Sequence, residues 1–168
     1  MIATDFMSAN LFLFRFTNPE PRAIEFARRV RTNPPHILGV QEAHRDEYVE
    51  LLAEPLEPVL PHVAYIKGRR GPSGALAIFS AEPFTSTRYV SLREATWSLG
   101  FRDIARARAF GAYKKGILIA ETMGVIVANM HLSPNHNVDW SAGNPAEIAQ
   151  AAQISVVINL INALKAEV

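Results

Sequence analysis

The chain has no cysteine among its 168 residues. That excludes disulfides, a thiolate nucleophile and cysteine-ligated zinc, and it leaves His, Asn, Asp and Glu as the metal ligands to look for. Net charge is also nearly absent: 17 Lys and Arg face 16 Asp and Glu, a formal +1. No global basic field therefore draws the chain onto nucleic acid, and any anion site must be local. No stretch reaches the ~18 consecutive apolar residues of a membrane span, and the start Met1-Ile2-Ala3-Thr4-Asp5 lacks the basic segment of a secretory signal. The expectation is a soluble protein without a transmembrane segment, cytoplasmic by default. No internal repeat, low-complexity tract or linker interrupts it. What is present is a 49% hydrophobic composition in 168 residues, enough for a single domain spanning residues 1–168 with a buried core.

Charge is unevenly distributed. Between Lys67 and Lys115 lie ten basic residues (Lys67, Arg69, Arg70, Arg88, Arg93, Arg102, Arg106, Arg108, Lys114, Lys115) against Glu82, Glu94 and Asp103. This segment is either an anion-facing surface or a set of solvated helix and loop charges. A first helix is signed by Asn18 as N-cap, Pro19 at its first position and Glu20 near its positive end, with Ala23, Phe26, Ala27 and Val30 on one face, and Asn33-Pro34-Pro35 stops it. Ile37-Leu38-Gly39-Val40 then reads as a buried strand delivering Gln41 and Glu42, followed by a short helix around Asp46 to Leu52. The runs Ala75 to Phe79, Gly116 to Ala120 and Gly124 to Ala128 are apolar at every position and read as strands covered on both faces. Asn144-Pro145-Ala146-Glu147 opens a last helix with apolar residues at Ile148, Ala152, Ile154, Val157, Ile158 and Ile161.

Polar residues stand at the ends of these buried strands: Asn10 after Phe6 to Ala9, Gln41 and Glu42 after Val40, and Asn129 with His131 after Ala128. Ligands gather at strand ends in open α/β sheets. A carboxylate beside an amide oxygen suits a hard divalent cation such as magnesium, and His131 is then available for phosphate contact or proton transfer. Each has a plainer reading as well: Asn10 as a turn residue, Glu42 as a helix-start carboxylate, His131 as a satisfied interior histidine.

Taken together, Ser8-Ala9-Asn10-Leu11, Ile37-Leu38-Gly39-Val40-Gln41-Glu42, Gly74 to Ser80 with Pro83, Lys115-Gly116 and Asn129-Met130-His131-Leu132 resemble the endonuclease/exonuclease/phosphatase superfamily, from about residue 5 onward. The Lys-Gly step is most similar to the sphingomyelinase-like and general bacterial branches. The resemblance implies an α/β, DNase I-like four-layer sandwich (α-β-β-α), present here as roughly its first half, and hydrolysis of phosphate esters with Mg2+, Mn2+ being the alternative ion. It implies catalytic roles for Asn10, Glu42 and His131, with Asn10 and Glu42 holding the metal, His131 meeting phosphate and Gln41 bracing the site. It further implies substrate contacts from Asn129, Arg69, Arg70 and Lys115. The substrate would be a nucleic acid or a phospholipid head group.

Departures accompany the match. The family usually has Asp at His36, Thr at Met130 and Arg at Gln150, three residues before the helical Gln153. Its Gly-Asp-x-Asn and Ser-Asp-His segments, the latter supplying the pair that activates water, have no counterpart. The expectation is a chain that is inactive as it stands, or an inactive remnant binding an anion or a protein through Lys67 to Lys115. Weaker patterns are a His131/His136 zinc pair, a phosphate-loop-like Lys67 to Gly74 better read as a hairpin near an anionic substrate, and Trp97 and Phe101 among arginines as stacking or core residues. With few helices to cover them, the apolar runs also predict one uncovered sheet face and hence self-association.

Overall fold

Short apolar segments, several of them buried at nearly every position, build two sheets. The computed structural model describes residues 4–13, 18–93, 115–133, 141 and 143–166. The first sheet has strand order β1-β2-β4-β3, from β1 (Phe6–Leu13), β2 (Ile37–Ala43), β3 (His62–Ala64) and β4 (Leu76–Ser80). β1 runs parallel to β2, whereas β4 is antiparallel to both β2 and β3. The second sheet orders β5 (Phe84–Ser91), β6 (Gly116–Thr122) and β7 (Val125–His131). The helices are α1 (Pro19–Thr32), α2 (Asp46–Leu56) and α3 (Pro145–Ala166). Two compact units result, Met1–Val90 with Leu118–His131, and Ser91–Ile117 with Leu132–Val168.

In the first unit, each face of the first sheet has its own core. Leu38 and Val40 of β2 and Ala77 and Phe79 of β4 pack with Ala23, Ala27 and Val30 of α1 and Val49, Leu52 and Leu56 of α2. The alternate residues Ile37, Leu76 and Ile78 pack with Leu118, Ala120 and Val127 of the second sheet. Period-two geometry makes this division unavoidable once the strands are apolar throughout. The face expected to lie bare is therefore covered, by a second sheet already within the chain, and the argument for self-association through it falls away. The three apolar runs also belong to two sheets rather than one.

The third run departs from its reading. Gly124 is in a turn, and Val125 and Ile126 are exposed, because β7 is an edge of its sheet among the described residues. The Met123–Gly124 turn has positive φ at both residues, 55° and 71°, the twist that suits a two-residue hairpin.

Helix boundaries follow their signals with local differences. Asn18 precedes α1 in a left-handed conformation (φ 49°) and makes no side-chain cap. α2 continues through Pro55 to Leu56. In the second unit, Asn144 does cap α3, its Oδ1 accepting from the Ala146 N–H at 2.8 Å. The buried face of α3 carries Ala149, Gln153, Val157 and Leu164, while Ile148, Ile154, Ile158 and Ile161 are exposed. Gln153 replaces an apolar residue there because it clamps Ser133, accepting from its N–H (2.9 Å) and donating to its Oγ (2.8 Å). Among the described residues, Ala146–Lys165 is by length and composition apolar enough to cross a membrane, with mean hydropathy 1.3 over its best window. Gln150, Gln153, Asn159 and Asn162 break the run, which is why it escapes a search for uninterrupted apolar stretches.

Polar bonds tie the two sheets at both ends. At one, Ser80 Oγ meets Thr122 Oγ1 at 3.0 Å, and that hydroxyl also lies within hydrogen-bonding distance of the Glu82 and Pro83 carbonyls. At the other, the Asn129 amide of β7 donates to the Val40 and Ala77 carbonyls, each at 2.9 Å, and its oxygen accepts from Gln41 Nε2. Gly39 makes the room: a Cβ there would sit 3.2 Å from Asn129 Cγ.

Two predictions follow from these contacts. Asn129→Leu keeps the volume but strands the Gln41 donor and removes both carbonyl partners, so it should lower unfolding free energy by about 2–4 kcal/mol in urea titration. On the surface of α1, hydrogen bonds from Arg28 and then Arg29 lower the Glu25 carboxyl from the ordinary 4.5 to about 2. Its stabilising contribution is present above about pH 4.5 and is lost as pH falls toward 2. Glu25→Gln should therefore lower Tm slightly at neutral pH, with the gap closing on acidification and shrinking in high salt, because the pair is exposed.

Candidate functional site

The site forms where the C-terminal ends of β1, β2 and β7 meet. Alternation places Ser8 and Asn10 of β1, Gly39 and Gln41 of β2, and Asn129 and His131 of β7 toward the space between the sheets. The Gln41 amide links all three strands, since Nε2 donates to Ser8 Oγ (3.0 Å) as well as to Asn129. Gln41 is buried, as expected of a brace.

Strict alternation would send Glu42 the other way, to the helix side with Val40. Two irregularities redirect it. Asn10 pairs with Gln41 and Leu13 with Ala43, so two residues of β1 oppose the single Glu42 in a bulge. Glu42 itself has φ 64°, in the left-handed region that a side chain beyond glycine enters at a cost of about 1–3 kcal/mol. The carboxylate consequently reaches the inter-sheet end, where Oε1 accepts from Asn10 Nδ2 (3.2 Å) and stands 3.4 Å from His131 Nε2. The Glu42 and His131 side chains are only 13% and 17% exposed. Glu42 Oε2 is buried and has no hydrogen-bond partner among the described residues.

That oxygen decides whether these residues fit a cation. A buried carboxylate oxygen facing nothing is costly unless a positive group meets it, and an oxygen donor of this kind suits magnesium. Asn10 presently steadies the carboxylate, with its own Oδ1 accepting from the Phe12 N–H at 3.1 Å and one lone pair remaining. No cluster of three or more His, Cys, Asp or Glu able to hold a metal occurs among the described residues. The fit therefore rests on one carboxylate and one amide, the low protein-ligand count that magnesium tolerates. Asn10 is exposed, beside an open groove that Arg22, Phe26 and Arg29 of α1 help to line.

The remaining expected residues have other placements. Asn129 is 2% exposed with its amide fully engaged, so the expectation that it contacts substrate does not match its position between the sheets. Arg69 and Arg70 are exposed on the loop before β4. This loop is a hairpin, as anticipated: Gly68 N–H donates to the Gly71 carbonyl (2.9 Å) and Ser73 N–H to the Ile66 carbonyl (2.7 Å). Lys115 falls in the second unit, where its carbonyl accepts from the Leu92 N–H at 3.0 Å. His36, where the family usually has Asp, accepts the Asp5 N–H on Nδ1 at 3.1 Å and so secures the start of the β1–β2 pairing. His136, Trp97, Phe101, Arg102, Arg106 and Arg108 lie outside the described residues. Ser8 and Gly39 belong to the segments that carry the family resemblance but received no role there, although each stands two residues before a residue singled out and must share its face.

The comparisons with known proteins agree with this architecture. No curated protein sequence matches significantly. Among solved structures, TDP2 from C. elegans superposes with a TM-score of 0.70 at 17% identity, over 98% of this chain and 44% of that one. The crystal structure of SmcL gives 0.67 at 16% identity, over 95% and 58%. Sphingomyelinase C from Streptomyces griseocarneus gives 0.63 at 17%, over 96% and 60%. The chain thus spans about half the length of these solved relatives, and at such identities the likeness is one of fold. The sequence profile of the Endonuclease/Exonuclease/phosphatase family matches residues 7–162, nearly the whole chain, so the chain belongs to that family and carries its mixed α/β, DNase I-like fold.

Proposed function

We propose that Asn10, Glu42 and His131 form the cation- and phosphate-holding part of a phosphoester hydrolase that works with magnesium, or alternatively with manganese. Members of the family are phosphoesterases and generally use divalent metals. The observation that carries the reading here is the buried Glu42 Oε2, without a hydrogen-bond partner among the described residues, at a strained backbone position beside His131.

The chemistry divides among these side chains. Glu42 and Asn10 would hold the metal, which when bound polarises a phosphoryl oxygen and favours the leaving oxyanion. His131 presents Nε2 at the same end of β7, where an N–H can meet charge that develops on a phosphoryl oxygen. Gln41 would act as a brace, since its amide ties β1, β2 and β7 together where the three groups converge.

Magnesium titration of this chain tests the reading without requiring turnover. Chemical-shift changes should concentrate on Asn10, Glu42 and His131, and Glu42→Gln should weaken affinity at least about tenfold while changing stability little, since the amide keeps the shape and the Asn10 contact. Unchanged affinity in Glu42→Gln would move the metal elsewhere. Where hydrolysis of bis(4-nitrophenyl) phosphate is measurable, His131→Ala should reduce kcat by on the order of 10²-fold with little change in KM. A change confined to KM would make His131 a binding residue only.

A further inference from the structure

We propose that Arg22 of α1 is the positioning residue of the cation site: its guanidinium holds the β1 bulge in the shape that brings Asn10 and Glu42 together. The inference rests on the metal-holding role proposed above for those two residues, and it adds a side chain from a different element of the fold.

The bulge is the part of β1 that the strand ladder cannot hold. Leu11 and Phe12 are the two residues that oppose Glu42, and both Phe12 (φ 49°) and Glu42 (φ 64°) sit in the left-handed region, where a side chain is strained. Leaving the ladder also obliges backbone carbonyls to find other donors. Arg22 supplies them: Nη2 donates to the Leu11 carbonyl at 2.8 Å and Nη1 to the Phe12 carbonyl at 3.2 Å. Its guanidinium carbon lies 6.0 Å from the centre of the Phe12 ring, at the outer reach of a cation–π contact. The next residue, Ala23, is buried in the core beneath α1, so the base of the grip is fixed.

The grip passes to the site through one peptide unit. The Leu11 carbonyl that Arg22 holds and the Phe12 N–H belong to the same planar group, so fixing the oxygen fixes the direction of the hydrogen. That N–H donates to Asn10 Oδ1 at 3.1 Å, and Asn10 Nδ2 donates to Glu42 Oε1 at 3.2 Å. A continuous path of hydrogen bonds therefore runs from the helix to the carboxylate. A planar fork can take two consecutive carbonyls in one geometry, which the single ammonium of lysine cannot impose.

Charge makes the opposite demand. Arg22 and Arg29 line the open groove that Asn10 also borders, and a positive group there repels a cation. By charge alone, Arg22→Ala would raise magnesium affinity; by the grip, it lowers it. The two roles differ in sign.

Magnesium titration of the folded variants, followed by amide chemical shifts, reads that sign. Arg22→Ala should weaken affinity about tenfold, the scale of losing a group that orients a metal ligand. Arg29→Ala removes the same charge from the same groove without touching β1, and should leave affinity unchanged or slightly raised. Arg22→Lys keeps the charge and should recover only part of the affinity. A second readout needs no metal: Phe12 and Glu42 should each show the strong intraresidue HN–Hα cross-peak of positive φ, and both should weaken in Arg22→Ala while the chain stays folded. Unchanged or raised affinity in Arg22→Ala, or cross-peaks that persist at full strength, would overturn the proposal. Should Glu42→Gln leave magnesium binding unaltered, the metal reading fails by itself, and the metal-free cross-peaks still decide whether Arg22 holds the bulge.

Discussion

One amide group holds the two sheets at the distance the site requires. Asn129 sends both hydrogens of its Nδ2 to carbonyls on neighbouring strands, Val40 of β2 and Ala77 of β4, which are themselves register partners. No apolar side chain can make that connection, and no charged one can enter so dry a place without partners. Its oxygen then takes the Gln41 amide, which in turn holds Ser8. Four strands drawn from both sheets are locked by two side chains, Asn129 and Gln41, and the space for the first exists because residue 39 is glycine. Apolar packing of Ile37, Leu76 and Ile78 against Leu118, Ala120 and Val127 brings the sheets together; the amide chooses their register.

Above this rigid layer stands a group that is not at ease. Glu42 occupies a left-handed backbone position in a strand, opposite a bulge, with one carboxylate oxygen held by Asn10 and the other without a hydrogen-bond partner among the described residues. Such a position persists only where its surroundings over-determine it. Here the bracing is visible on both sides, through Gln41 before it and the buried Ala43 after it. Rigidity in the buried layer and strain in the residue above it are complementary: the first confines the cost of the second to a single residue.

Much of this was legible in the sequence, and the limits have physical reasons. Unbroken apolar runs such as Ala75 to Phe79 announce strands buried on both faces, and polar residues directly after them announce a site at the strand ends. The grouping of Asn10, Gln41, Glu42 and His131 came from their places at strand ends together with the family resemblance. Whether a polar strand-end residue faces substrate or the opposing sheet depends on what lies across from it, so Asn129 was assigned to substrate while its amide serves the fold. The bulge that turns Glu42 carries no local sequence signal, because neither Phe12 nor Glu42 is a residue that ordinarily adopts positive φ. The covering sheet was missed for a similar reason: an apolar run shows that a strand is covered but not by what, and β6 and β7 were placed in the sheet that they instead cover. The exposed isoleucines of α3 show the same limit, since apolar residues populate more than one face and Gln153 selects the buried one through Ser133.

The span of chain between partners carries a further consequence. Asn129 lies 88 positions from Gln41 and 89 from Val40, and His131 is equally remote from Glu42. Closing so long a loop carries an entropic cost before any contact rewards it, and folds dominated by such pairings assemble slowly. The first sheet and its two helices draw on residues before position 81, so they can collapse while β7 is still unplaced. Until β7 docks, the Gln41 amide lacks its deepest acceptor and Glu42 lacks His131. Chemistry at this centre is thereby coupled to completion of the fold: a partly assembled chain carries the carboxylate without the histidine, and gains the pair only on the step that seals the two sheets.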